Sequence, residues 1–161
     1  MRAIKDLFEE VRIIDFEMRH AQDVIDLQDE AFPEDLLAFE KEDLSRAVSR
    51  TDISIYVAEI NSKFAGYAVV KDRKWRPWTS GDFIAVNTEY RGSRAARELV
   101  IHGVKNARRP LFRIFVRPTN KVALNMYSKF GFKTFGRRKR NYPNDEDALI
   151  MMIRPKNLRT I

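Results

Sequence analysis

Two apolar octads, ISIYVAEI at 53–60 and KFAGYAVV at 63–70, stand only two residues apart. Both are rich in β-branched and aromatic residues, which suit a pleated, half-buried surface. With only Asn61-Ser62 between them they read as a β-hairpin. Any fold for this chain has to be built around that hairpin.

The flanking segments supply helices as well as strands. VRIIDFE at 11–17 reads as a strand. Residues 20–31 place Ala21, Val24, Ile25, Gln28 and Ala31 on one helical stripe. Phe32-Pro33 stops that helix, because proline disfavours the helical conformation in the residue before it. Residues 40–50 give a second helix through Leu44, Ala47 and Val48, and residues 2–10 a short amphipathic one with Ile4, Leu7 and Phe8.

After the hairpin, KDRKWRPWTS at 71–80 reads as a polar loop and GDFIAVN as a strand. A helical stripe of Ala96, Leu99, Val100, Gly103, Val104 and Ala107 follows, closed by Pro110. LFRIFV at 111–116 is a strand, and 119–130 a helix with Gly131 at its C′ position. FKTFGRRKR and DALIMMI are the last strands. The order β-α-α-β-β-β-α-β-α-β-β predicts an α/β fold. Its sheet is mixed, with about seven strands, and about four helices flank it. The length predicts one domain over 1–161, with 1–10 as an N-terminal extension.

The chain has no cysteine, which excludes disulfides and thiolate chemistry. Its two histidines, His20 and His102, show no ligand spacing, so no metal is expected and both read as structural. No apolar run approaches the roughly 20 residues that span a bilayer, and the N-terminus lacks the apolar core of a secretory signal. A soluble cytoplasmic protein is expected. The net charge of +7 is unevenly divided. Residues 1–80 hold 12 Lys+Arg against 17 Asp+Glu, and residues 81–161 hold 18 against 6. A polyanionic partner for the second half is one explanation, and solvated faces are the other.

The stretch YRGSRAARELV follows a strand and opens a helix. A helix start has unpaired N–H groups and a partial positive charge, so it attracts anions. Gly92, Ser93, Ala95 and Ala96 let a ligand approach the backbone, and Arg91, Arg94 and Arg97 add charge. Taken alone, the pattern also fits a basic surface helix.

The segment 116–153 is more specific. Asn120, Ala123 and Tyr127 are followed by Gly131-Phe132, Gly136, Arg138, Asn141-Tyr142-Pro143, Glu146-Asp147-Ala148 and Met151. On these residues the chain resembles the GNAT superfamily of acetyl-CoA-dependent N-acetyltransferases. Within it, the likeness is to the ribosomal-protein alanine (protein N-terminal) acetyltransferases, over about residues 11–154.

The resemblance implies acetyl-CoA as co-substrate, no metal, and a protein or peptide amine as acceptor. It places the pantetheine arm against the backbone of the strand at 83–87, including Ile84, Ala85 and Val86. Arg91, Gly92, Ser93, Arg94, Ala95 and Ala96 correspond to the pyrophosphate loop. Asn120 and Ala123 lie beside the cofactor arm, and Tyr127 is the general acid to the departing thiolate. Phe32, Pro33 and Tyr142 correspond to the walls of a peptide groove. The competing readings are a core aromatic for Tyr127, a helix cap for Asn120, a surface residue for Tyr142 and a helix stop for Phe32-Pro33.

Two positions depart from the family. A glutamate base is replaced by Phe115, leaving Asp82 and Glu89 as nearby acids, and Arg94 stands at the first glycine of the loop. An α-amine with pKa about 7.7–8.0 needs less help from a base than a lysine near 10.4, which favours an N-terminal acceptor. Arg137-Arg138-Lys139-Arg140 fits an acidic partner, the CoA phosphates or a charge-protected edge strand. Trp75 and Trp78 among basic residues resemble a nucleic-acid patch, which is the less favoured partner. Two further readings stay open: a degenerate fold that binds an anion, and a small-molecule amine acetyltransferase.

Overall fold

The computed structural model describes residues 10–33 and 39–160. The helix predicted at 2–10 falls outside the described residues, apart from its last position. One seven-stranded sheet has the order β1-β2-β3-β4-β5-β7-β6. The strands are β1 (Val11–Asp15), β2 (Ile53–Ile60), β3 (Lys63–Asp72), β4 (Trp78–Val86), β5 (Leu111–Val116), β6 (Lys133–Arg138) and β7 (Ala148–Ile153). The described α-helices are α1 (Ala21–Ala31), α2 (Lys41–Val48), α3 (Ala95–Lys105) and α4 (Lys121–Phe130). Every pairing is antiparallel except β4 with β5, so the predicted order and mixed sheet both hold. Among the described residues no helix is long and apolar enough to cross a membrane.

The hairpin turns at Asn61 and Ser62 with φ of 50° and 65°. Two consecutive left-handed residues make the turn whose twist matches that of the strands it joins. The octads are apolar throughout, rather than alternating, because both sheet faces are covered here. Tyr56, Ala58 and Ile60 of β2 point into the core under α3 and α4, beside Leu99, Val104, Phe112 and Phe132. Ile55 and Val57 point the other way, into the core of α1 and α2 with Val24, Leu44, Tyr67 and Val69.

One boundary departs from the sequence reading. The polar loop at 71–80 is shorter, because β3 runs on to Asp72 and β4 begins at Trp78. Ladder partners on both sides override the polar composition: Thr79 pairs with Asp72 and with Phe112. The Thr79 hydroxyl also donates to the Asp72 carboxylate at 2.7 Å. Trp78 is therefore a strand residue, while Trp75 remains at the loop tip and is 89% exposed.

The histidines have structural surroundings. Buried His20 accepts the Glu17 N–H on Nδ1 at 3.0 Å, and its Nε2 lies 3.4 Å from the buried Glu59 carboxylate. His102 meets Tyr56 edge-on with ring centres 4.5 Å apart. Burial holds the His102 pKa below its ordinary value.

At the end of α4, Gly131 adopts φ of 102°. The Phe132 N–H returns to the Tyr127 carbonyl at 3.0 Å and the Gly131 N–H to Ser128 at 3.1 Å, the double bond of a Schellman cap. A side chain at Gly131 would also meet the Asn157 carbonyl at 3.1 Å. Gly131→Ala is expected to lower unfolding free energy by about 1–2 kcal/mol, measured by urea denaturation.

Candidate active site

β4 and β5 run side by side for only four residue pairs, from Trp78↔Leu111 to Gly81↔Ile114. Against β3, the register jumps from Val69↔Phe83 to Val70↔Gly81, which makes Asp82 an extra residue in β4. Such a bulge bends its strand and sharpens the twist. Beyond it, β4 keeps its ladder to β3 but has no β5 partner among the described residues. The gap is a cleft lined by Asp82, Phe83, Ile84, Val100, Phe115 and Tyr127, among others. Ile84 and Val86 turn their side chains towards α3, and Ala85 turns towards α1.

The chain leaves β4 through a single 3-10 turn, Thr88–Tyr90, and reaches the start of α3 through Arg91, Gly92 and Ser93. Gly92 has φ of 79°, a conformation open to glycine at little cost. Ser93 Oγ accepts the Ala95 N–H at 3.2 Å. Ala95 is buried and Ala96 half-buried. Arg94 sits at φ −78°, ψ 0°, so its backbone needs no glycine. Its guanidinium lies 3.4 Å from Glu98, one turn into the helix, and so runs along α3 rather than across its N-terminus. Arg91 is exposed.

Across the cleft, α4 carries Asn120, Ala123 and Tyr127 at a spacing of three and four residues, the spacing of one helix face. Asn120 caps the helix, its Oδ1 accepting the Ala123 N–H at 3.1 Å. The side-chain amide nitrogen points to no partner among the described residues. Tyr127 is only 7% exposed and packs edge-on against Phe132 with ring centres 5.3 Å apart. Burial, with a smaller contribution from nearby Tyr142, pushes its pKa up to about 12. The core-aromatic reading and the cleft reading of Tyr127 therefore hold together.

Tyr142 lies in the loop between β6 and β7, and Arg117 fixes it there. The Arg117 guanidinium is 3.7 Å from the Tyr142 ring centre and 3.0 Å from Glu146. Thr119 donates its hydroxyl to Glu146 at 2.6 Å and its N–H at 3.2 Å. The Thr119 hydroxyl first, then Arg117, hold the Glu146 carboxyl below the usual carboxylate range. Phe83 lines the cleft, and Phe32 and Phe39 meet it edge-on at 5.5 and 6.1 Å. Pro33 is exposed beside Phe32. Glu34 and Asp35 lie outside the described residues.

Of the two candidate bases, Glu89 is exposed on the 3-10 turn, away from the cleft lining. Asp82 does line the cleft, but Lys71 at 3.5 Å, Arg73 at 3.3 Å and the Ser80 hydroxyl already hold it. Spacing in the sequence does not reveal Arg117, Lys71, Phe39 or Phe83 as wall or clamp residues. Phe83 sits inside the run GDFIAVN, which was legible for its backbone only. The arrangement offers a strand edge for an extended polar ligand, a helix start for an anion and a buried phenol lining the cleft.

The family model described as the acetyltransferase (GNAT) family matches residues 21–132. No curated protein matches the chain. Among solved structures, the Escherichia coli ribosomal-protein-S18-alanine N-acetyltransferase superposes with a TM-score of 0.74 at 20% identity, covering 90% of this chain and 94% of that one. The ribosomal-protein-alanine N-acetyltransferase of Brucella melitensis gives 0.78 at 17%, covering 89% and 99%. A variant of spermidine N-acetyltransferase from Vibrio cholerae gives 0.78 at 14%, covering 91% and 94%.

The raised Tyr127 pKa has a consequence for stability. The native state holds the phenol proton more tightly than the unfolded chain, so stability is full below about pH 10 and falls as pH rises towards 12. Tyr127→Phe removes that loss. The gap in unfolding free energy between wild type and variant is expected to shift in favour of the variant by up to about 2–3 kcal/mol between pH 9 and pH 12, by denaturant titration.

Proposed function

We propose that this chain, which belongs to the GNAT family of acetyltransferases, moves an acetyl group from acetyl-CoA to the α-amine of a protein or peptide. The observation that carries this reading is the place of Tyr127. A buried, protonated phenol lines the cleft between the diverging strands together with Phe83 and Phe115, with the Arg117-clamped Tyr142 close by.

The residues fit acetyl-CoA. Residues 83–86 of β4 present backbone N–H and C=O groups on an edge free of β5, suited to an amide-bearing arm. The start of α3 presents its first-turn N–H groups to a pyrophosphate, and Arg91 stands beside it. Asn120 keeps its side-chain NH₂ for the arm while its oxygen caps α4. Arg94, drawn back onto Glu98, leaves the approach open.

Bound acetyl-CoA supplies an activated thioester. Tyr127 Oη donates to the departing sulfur. A phenol near 12 is a weaker acid than an alkyl thiol near 8.5, so Tyr127 stabilises the developing thiolate chiefly by hydrogen bonding. Asp82 is the one carboxylate among the described residues that line the cleft, and its commitment to Lys71, Arg73 and Ser80 leaves it ill-suited as a base. The amine therefore arrives neutral. At pH 7, about a tenth of an α-amine with pKa near 8 is neutral, against fewer than about one in a thousand for a lysine.

An acetylation assay with peptides varied at their first two residues, read by mass, tests the assignment. Modification at the N-terminus is expected, and modification of lysine alone would sink it. Tyr127→Phe is expected to lower kcat about 10²-fold while calorimetry shows acetyl-CoA binding within about threefold of wild type. The wild-type kcat/KM should rise with pH through the amine pKa near 8 to a plateau above about pH 9, with no fall from Tyr127 below pH 11. Arg94→Gly should leave acetyl-CoA affinity equal or weaker, because the arginine does not obstruct the helix start; tighter binding by calorimetry would contradict that placement.

A further inference from the structure

The face of β5, β6 and β7 that points away from α3 carries cations beside the cleft. The Arg113 guanidinium lies between two rings, 4.3 Å from the centre of Trp78 and 4.8 Å from that of Phe115. Arg138 reaches the same Phe115 ring at 5.8 Å, and Arg76 reaches Trp78 at 5.5 Å. Arg73 and Lys71 adjoin through Asp82. Arg76, Arg113 and Arg138 have no carboxylate partner among the described residues. The Arg113 Nε is buried without a hydrogen bond. Burial first, then Arg73, Arg138 and Arg76 against a partial offset from Asp82, weaken the hold of Arg113 on its proton.

Resting on the N-terminal reading above, we infer that the acceptor peptide is acidic in the residues that follow its reactive amine, and that Arg113 and Arg138 recognise it. Phe115 lines the cleft with Tyr127, so its ring connects the site of transfer to both guanidinium groups. Arg113 precedes Phe115 by two residues on one strand, which is about 7 Å, the rise of two residues in an extended peptide. A guanidinium stacked on a ring keeps its in-plane N–H groups for a carboxylate. Clustered like charges without counter-ions are costly when partly buried, and an anionic ligand relieves that cost. A polyamine would meet repulsion here. A nucleic acid is the competing ligand; of the neighbouring cations, Arg117 is paired with Glu146 and Arg137 with Asp147.

The test compares kcat/KM for peptides sharing one N-terminal residue and carrying Glu, Gln or Lys at positions two to four. The Glu peptide is expected to exceed the Lys peptide by about tenfold or more at low salt, with the ratio shrinking as salt rises. Arg138→Gln and Arg113→Gln should each cut that ratio at least about threefold and leave the KM for acetyl-CoA unchanged. Arg138 is exposed on an edge strand, so its variant keeps the test intact if Arg113→Gln does not fold. Arg46→Gln, exposed on α2, should leave the ratio as it is. Peptide turnover with no preference for Glu, or a ratio indifferent to both substitutions, overturns the inference and leaves the N-terminal reading standing. Turnover of spermidine but of no peptide overturns both. Competition of the Glu peptide by a short single-stranded oligonucleotide, lost in Arg138→Gln, would reassign the cluster to nucleic acid.

Discussion

The two halves of the sheet, β1 to β4 and β5 to β6, are joined by four parallel residue pairs between Trp78–Gly81 and Leu111–Ile114. Parallel pairing needs a crossover, and α3 supplies it, packing its apolar stripe over both halves. The same short seam limits how far the strands can stay together. Asp82 enters β4 as an extra residue right after the last pair, and the strand bends away. The cleft, the free strand edge and the helix start beyond it all follow from that divergence. Shifting the register by one residue would turn Phe83 and Ala85 to the other face and dismantle the α1 side of the core.

Charge is organised around the same seam. Part of the basic charge in the second half is paired locally. Arg94 lies on Glu98, Arg97 reaches Glu98 and the Thr160 carbonyl, Arg117 holds Glu146, and Arg137 holds Asp147. These pairs fix the helix start and the β6–β7 loop rather than advertise a broad anionic surface. The cations left without carboxylate partners among the described residues include Arg76, Arg113 and Arg138, which share two aromatic rings beside the cleft. The charge asymmetry thus divides into a few structural pairs, one local cluster, and exposed cations such as Lys121, Lys133 and Lys139 on solvated faces. Phe115 belongs to this cluster: its ring lies against both Arg113 and Arg138.

Much of the fold was legible because local signals agreed with the tertiary outcome. Asn61-Ser62 between β-rich octads allowed only a hairpin, and Gly131 after an apolar helix stripe marked a left-handed cap. The start of β4 was not legible. Trp78, Thr79 and Ser80 look like loop residues until partners from β3 and β5 flank them. On α4, the resemblance to acetyltransferases singled out Asn120, Ala123 and Tyr127, and the helix sets them on one face. The clamp of Arg117 on Tyr142 was not legible, since 25 residues and a change of strand separate the pair.

The sequence by itself determined the element order, the hairpin, the capped α4 and the set of residues that likens this chain to acetyltransferases. Those are properties of short windows, where periodicity and turn chemistry act between near neighbours. Tertiary structure alone decided that Asp82 bulges, that β4 and β5 part, that Arg94 folds back on its own helix and that Arg113 meets Phe115 and Trp78. Each of those depends on which strand lies beside which, and that ordering is set by burying two apolar faces of one sheet at once rather than by any single stretch of chain.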